Sequence, residues 1–173
     1  GNTYYMVCTS GSYAYPIRSS PDLVHWSSQG TVFTGASHPT WPSGDYWAPE
    51  MHAVNGGYVV YYSARASASS TFAIGAAYAA SPTGPFQDIG QPLVTEPAPG
   101  AIDAHYFQDP GGTHYLLWKV DGNAVGASTP IKIQELAADG LSLVGSPTTI
   151  LTNTLAWEGA LVEGPWMIER GGF

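Results

Sequence analysis

The sequence predicts an all-β fold of repeated sheets, on three observations. Helical periodicity is nearly absent: short apolar runs alternate with clusters of Gly, Pro, Ser and Asn along all 173 residues, the pattern of strands and turns. A glycine-led aromatic run returns at intervals of about 55 residues, as Gly1-Asn2-Thr3-Tyr4-Tyr5-Met6-Val7, Gly56-Gly57-Tyr58-Val59-Val60-Tyr61-Tyr62 and Gly111-Gly112-Thr113-His114-Tyr115-Leu116-Leu117-Trp118. The turn after it also repeats: Ser20-Pro21-Asp22 leads to Trp26, and Ser81-Pro82-Thr83 leads to Phe86. A period of this size marks a repeat architecture, and the four-stranded blade of a β-propeller lies near it.

In chain order, strands are expected at Tyr4–Thr9, Tyr13–Ser19 and Thr31–Phe33, with a polar, Pro-containing loop over 34–46. The second unit is expected to run from Tyr46–Val54 through Tyr58–Ala64 and Phe72–Ala80 to the turn at Ser81–Phe86. The third runs from Ile102–Phe107 through His114–Lys119 and Ile131–Leu136, turns at Ala138-Asp139-Gly140, and continues at Thr149–Leu151. A fourth is expected to open with a strand over Leu161–Ile168 and to resume at Gly171-Gly172-Phe173. No linker interrupts residues 1–173, so they read as one domain.

Composition narrows the function. Hydrophobic residues make up 44% and aromatics 13%, enough for a packed core, and charged residues make up 10%, well below the roughly 25% of an average soluble protein. The net charge is −8, and the five basic residues, Arg18, Arg65, Lys119, Lys132 and Arg170, are scattered. Nucleic-acid binding needs clustered Lys and Arg, so no nucleic acid is expected. No apolar run approaches the roughly 18 residues that span a membrane, so no membrane is expected. Cys8 is the single cysteine; its place in the first strand pattern reads as a small core side chain. No nucleophile elbow, phosphate-binding loop or dinucleotide fingerprint occurs.

In a propeller the first strand of each blade lines the central channel. Glu50, Asp103 and Glu163 fall on those strands, so the repeat brings them together around one axis. Two or three carboxylates facing one pocket suit glycoside hydrolysis: one protonated acid donates to the leaving oxygen, and an ionised partner activates water or attacks the sugar. A neighbouring like charge keeps the acid protonated. Trp41, Trp47, Trp157 and Trp166 are candidate sugar platforms. Each residue also has a plain structural alternative: Asp103 and Glu50 as strand-start carboxylates bonded to nearby amides, Glu163 as an edge carboxylate, and His105 as a satisfied structural histidine. Asp22, Asp109, Asp121 and Asp139 sit beside Gly, Pro or Ser and read as turn residues, while Glu158 stays undecided. His52, His105 and His114 lack the spacing of a metal-binding motif, and no metal ligands are assigned.

Four segments occur in an order that resembles glycoside hydrolase family 43. They are Trp47-Ala48-Pro49-Glu50, Ser81-Pro82-Thr83-Gly84-Pro85-Phe86, Ile102-Asp103 and Val162-Glu163-Gly164-Pro165. The stretch His105–Trp118 and the pattern Gln134-Glu135-Leu136…Asp139-Gly140 agree with it. The resemblance implies a five-bladed β-propeller of which about three blades are present. It also implies an enzyme that hydrolyses arabinose- or xylose-containing plant polysaccharides with inversion, as an α-L-arabinofuranosidase, an endo-arabinanase or a β-xylosidase.

By motif, Glu163 matches the family's general acid and Asp103 the second carboxylate, which tunes and orients it. Trp47 falls where the family places an aromatic wall, and Glu50, His105 and Trp157 are taken as further substrate-binding candidates. The family usually has Asp-Pro where this chain has Asp103-Ala104. The general base is expected on an inner strand preceding Gly1 and the remaining blades after Phe173, so residues 1–173 alone are expected to be inactive and marginally stable or associating. No organic cofactor is implied, and a calcium ion in the channel is possible in such a ring. The expected partners are arabinan, arabinoxylan or xylan oligosaccharides. The full-length form is expected to be a monomer and, because plant polysaccharide lies outside the cell, secreted. A non-catalytic carbohydrate-binding propeller is the alternative.

Overall fold

A computed structural model describes residues 2–172; Gly1 and Phe173, which belong to the first and fourth expected repeats, lie outside the described residues. Three antiparallel sheets follow one another in chain order. The first contains β1 (Tyr4–Val7), β2 (Pro16–Ser20) and β3 (Ser27–Thr31), paired in that order. The second contains β4 (Pro42–Val54), β5 (Gly57–Ala66), β6 (Phe72–Ala79) and β7 (Gln87–Asp88), with β8 (Val94–Thr95) also pairing β6. The third contains β9 (Ala101–Gln108), β10 (His114–Val120), β11 (Ile131–Leu136) and β12 (Leu143–Leu151). These sheets are propeller blades: each is a meander, and the glycine-led runs form β1, β5 and β10.

The blades are held together by the two faces of their strands. Successive side chains of a strand point to opposite faces. Along β5, Val59 and Tyr61 enter the core shared with the third blade, beside Ala104, Tyr106, Leu116 and Trp118. Val60, Tyr62 and Ala64 enter the core shared with the first blade, beside Tyr15, Ile17, Val32 and Phe33. Tyr61 also donates its hydroxyl to the Gly140 carbonyl at 2.8 Å, across the two blades. In contrast, every residue of β12 after Leu143 is exposed, including Val144, Ile150 and Leu151.

Several elements differ from the sequence reading. The third strand lies at Ser27–Thr31 rather than Thr31–Phe33; Val32 and Phe33 lie just beyond it, still bonded through their amides to the Tyr15 and Ala14 carbonyls, with their side chains in the core. The expected loop over 34–46 is a loop only to Trp41, since β4 starts at Pro42 and pairs Ala66. Residues 161–168, expected as a strand, make no strand pairing. A strand needs a partner for its amides, and this segment is tied instead by side chains: Val162 N donates to Thr129 Oγ1 at 2.9 Å. Cys8 lies just past the end of β1 and is only partly buried.

Candidate functional site

Two β-bulges build the site. In β4, Trp47 faces Ser63 and Glu50 faces Tyr61, so Ala48 and Pro49 together oppose one residue of β5. In β9, Ile102 faces Lys119 and His105 faces Leu117, so Asp103 and Ala104 oppose Trp118 alone. Ala48 and Asp103 both take a positive φ, 43° and 58°. A bulge of this kind bends its strand and re-aims a side chain. Asp is among the few residues that accept the left-handed region readily. The second bulge leaves the Asp103 N–H off the ladder, and it donates across the blades to Ser63 Oγ at 3.1 Å.

The equivalent bulges set Glu50 and His105 at equivalent positions, and the two meet. His105 Nδ1 lies 2.8 Å from Glu50 Oε1, and its Nε2 lies 3.2 Å from the Met167 carbonyl. A carboxylate and a carbonyl are both acceptors, so the ring satisfies both only when doubly protonated. Burial works against that charge, but the hydrogen bond and charge of Glu50 outweigh it and raise the His105 pKa. Burial also opposes ionised Glu50, yet the hydrogen bonds and charges of His105 and His52 prevail and lower its pKa. His52 Nε2 approaches the same oxygen at 2.7 Å, out of line for a full hydrogen bond, and is otherwise buried without a partner. The Trp166 ring stacks on His105 with centroids 5.2 Å apart.

On the other side stands Lys119, buried to 1% exposure. Its Nζ donates to Asp121 Oδ1 at 3.4 Å and to Glu163 Oε2 at 3.3 Å. The Asp121 N–H is bonded to the Gly100 carbonyl at 2.9 Å. Gly100 is needed there: with φ 109° it passes so close to the Phe72 backbone that a Cβ would lie 2.4 Å from the Phe72 oxygen. Asp103 Oδ2 accepts from Gly164 N at 3.3 Å, which joins β9 to the segment carrying Glu163. Burial raises the Asp103 pKa. The Gly164 amide and the Lys119 charge oppose that rise, and the Glu163 and Asp121 charges add to it.

Between the two groups lies a cavity of about 280 Å³, lined by Ala48, Pro49, Glu50, Asp103, Ala104, His105 and Gly164–Trp166. Glu163 borders the adjoining cavity of about 470 Å³, together with Leu117, Ile131, Ile150, Leu151 and the segment 162–168. The structure therefore brings Glu50, Asp103, His105 and Glu163 to one place. Trp47 packs on Phe72 at 4.5 Å and lines a separate cavity with Arg65 and Asp121. Trp157 stands 81% exposed on the short 3₁₀ turn Ala156–Glu158.

Sequence reasoning missed Lys119 and His52, and it read Asp121 as a turn residue. Asp121 is instead a buried ion partner, because the chain after β10 folds back under Gly100. The sequence signal was a basic residue two positions before an acid at the end of an apolar strand. Asp22, Asp109 and Asp139 are turn residues as expected, each accepting backbone amides in its own turn. Glu158, left undecided, caps the amides of Thr154 and Leu155.

The donor atoms of Glu50, His52 and His105 lie within 4.8 Å of one another, which invites comparison with a metal set. They do not fit calcium, which takes six to eight oxygen ligands. These three offer one carboxylate and two imidazoles, and both His105 nitrogens already have partners.

The chain is 33% identical over 164 residues to the β-D-galactofuranosidase xynD of Aspergillus niger, covering 89% of this chain and 44% of that protein. It is 30% identical over 164 residues to an extracellular exo-α-(1→5)-L-arabinofuranosidase of Streptomyces avermitilis, covering 90% of this chain and 32% of that protein. The crystal structure of a thermostable family-43 glycoside hydrolase superposes with a TM-score of 0.86 at 32% identity, covering 98% of this chain and 57% of that one. The chain thus spans less than half the length of those two sequence relatives. The sequence pattern of the glycosyl hydrolases family 43 matches residues 1–173 in full, and with the bulged inner strands and the gathered acids in place, this chain belongs to that family.

Proposed function

We propose that the protein of which these residues form the site is an inverting glycoside hydrolase acting on arabinose- or xylose-containing plant polysaccharides, as an α-L-arabinofuranosidase. The observation that carries the reading is the approach of Asp103 to the segment of Glu163 through Gly164, beside a cavity of about 280 Å³. That volume suits one sugar ring better than a long oligosaccharide. Furanosides are favoured because both named sequence relatives are furanosidases.

In this reading Glu163 gives its proton to the leaving glycosidic oxygen while water attacks the opposite face of the sugar. Asp103 accepts the Gly164 amide and so helps to orient the segment that carries Glu163. Glu50 and His105 form the opposite wall, and Trp166 lies at the rim. Trp47 and Trp157 lie farther out and would meet neighbouring sugars. No organic cofactor enters such a reaction. The substrates would be arabinan, arabinoxylan or xylan oligosaccharides, met outside the cell; one relative is named as extracellular. Endo-arabinanase, β-xylosidase and non-catalytic carbohydrate binding are the readings to exclude.

Aryl α-L-arabinofuranoside and aryl β-xyloside, offered to this chain and to a version extended at both ends, separate these readings. Release of arabinose with inverted anomeric configuration is the expected result. Turnover by residues 1–173 alone would place the water-activating base within them, and turnover by the extended chain only would place it outside. Sugar binding without turnover in either would overturn the hydrolase reading in favour of a binding module.

A further inference from the structure

The repeat makes one cross-blade contact three times, and the third copy differs in kind. Thr9, Ser63 and Lys119 occupy corresponding positions, one or two residues past the glycine-led run of each blade. Thr9 Oγ1 accepts the N–H of Ala48 at 3.0 Å. Ser63 Oγ accepts the N–H of Asp103 at 3.1 Å. Ala48 and Asp103 are the positive-φ residues of the two bulges, so in both cases a hydroxyl holds the backbone of the next blade's inner strand. In the third blade the position carries an ammonium, which can only donate. It therefore cannot take a backbone N–H, and it reaches a carboxylate of the following segment instead, Glu163 Oε2 at 3.3 Å.

A buried ammonium is costly unless paired. Lys119 is almost fully buried and has two carboxylate partners, Asp121 and Glu163. Asp121 is itself buried and balances the charge, while the Glu163 side chain is 54% exposed. Asp121 and Lys119 thus form the fixed base of the cluster, and Glu163 is the member free to meet a ligand. Nothing else anchors the Glu163 carboxylate by a hydrogen bond among the described residues, and its segment makes no strand pairing.

We infer that Lys119 is a positioning residue for Glu163: its ammonium replaces the hydroxyl brace of the earlier blades and fixes where the Glu163 carboxyl points. The inference rests on the reading of Glu163 as the acid. The charged and titratable groups facing this cluster are Asp103 from β9, Asp121 beyond β10 and Glu163 itself, with the Glu50–His105 pair across the cavity. One cation among three carboxylates leaves the cluster short of positive charge, so the loss of Lys119 disturbs both the aim of the acid and the charge around it.

The test compares Lys119→Met, which keeps the length and removes the charge, with Lys119→Arg, which keeps a donor. Each is made in the version extended at both ends and assayed on aryl arabinofuranosides with poor and good leaving groups. A misaimed acid matters only when the leaving group needs its proton. Lys119→Met is expected to lower kcat/KM by about 10- to 100-fold for the poor leaving group and by less than about 3-fold for 2,4-dinitrophenyl arabinofuranoside, with partial rescue by Arg. Equal losses on both substrates, or none, would overturn the inference. If Lys119→Met does not fold, Lys119→Met/Asp121→Asn removes the stranded carboxylate and is read in the same way.

A second readout does not depend on turnover. The Asp103 carboxyl carbon, followed by NMR, should titrate at higher pH in Lys119→Met than in the parent chain, because a cation that favours the ionised form is gone. An unmoved midpoint counts against the inference. If neither the parent chain nor its version extended at both ends hydrolyses a glycoside but the midpoint moves, the hydrolase reading fails and the Lys119 brace stands.

Discussion

Two carboxylates border adjoining cavities and are held in opposite ways. Glu50 lies on a paired strand, is half-buried, and has one oxygen within 2.7–2.8 Å of two imidazoles. Glu163 lies on a segment without strand pairing, is half-exposed, and has one cationic partner at 3.3 Å. A carboxylate locked between two rings on neighbouring blades joins those blades and has little freedom to exchange a proton with a ligand. A carboxylate with a single buried partner and an open face can change protonation during a reaction at little cost to the fold. In the proposed reading the difference gives structure to one and chemistry to the other.

The largest expected effect follows from the exposed member. Glu163→Gln keeps the shape and removes the proton donor, so kcat for an arabinofuranoside with a poor leaving group should fall by about 10²–10⁴-fold. Unfolding free energy should change by about 1 kcal/mol or less, because the Glu163 side chain is half-exposed and Asp121 still pairs with the buried Lys119. Steady-state kinetics and a thermal melt on the same preparation check both halves. A large loss of stability with turnover retained would invert the comparison.

Glu50→Gln should do the reverse, and its effect should depend on pH. The Glu50 pKa is lowered on folding, so its contribution is whole above the ordinary value of 4.5 and is lost as pH falls through the folded value. The His105 pKa is raised, so its contribution is whole below the ordinary value of 6.5 and is lost as pH rises through the folded value. The pair therefore stabilises most between these two values. There Glu50→Gln should cost about 2–3 kcal/mol, with the difference from the parent chain shrinking on both sides. Melting temperatures of both proteins across the pH range measure this, and a pH-independent difference would mean that the ring is neutral and the contact is only packing.

The sequence carried one side of this comparison better than the other. The blade period and the place of Glu50, Asp103 and Glu163 on the inner segments follow from repeated patterns, although the repeat position of Glu50 is that of His105 and not of Asp103. The bulges were invisible: Ala48 adopts a positive φ although Ala has no preference for it, so the turn is imposed by packing and not by residue type. The Glu50–His105 pair depends on that bulge, since without it the two side chains would point to opposite faces. Lys119 read as one of five scattered cations because its partners are two and 44 residues away, one hidden in an apparent turn and the other on the next segment. The strand expected over 161–168 failed because apolar alternation can suggest a strand but cannot provide the neighbour that pairs with it.

The smallest expected effect sharpens how the bulge supports the chemistry. Ser63 is fully buried and is the acceptor of the Asp103 N–H. Ser63→Ala removes that acceptor without changing the volume much, leaving an amide unpaired at a residue already held in the left-handed region. An unsatisfied buried donor costs about 1–3 kcal/mol, and part of that is recovered if Asp103 relaxes toward ordinary β geometry. Relaxation would swing its carboxyl away from Gly164 and from the Glu163 segment. Stability should therefore fall by about 1 kcal/mol, while kcat falls a few-fold and KM stays the same if, as proposed, Asp103 acts on the acid and not on sugar affinity. Thr9→Ala, at the same repeat position but exposed and facing Ala48, should lose less stability and no turnover. Equal effects from the two substitutions would mean that the hydroxyl brace serves the fold alone and that the aim of Asp103 is set elsewhere.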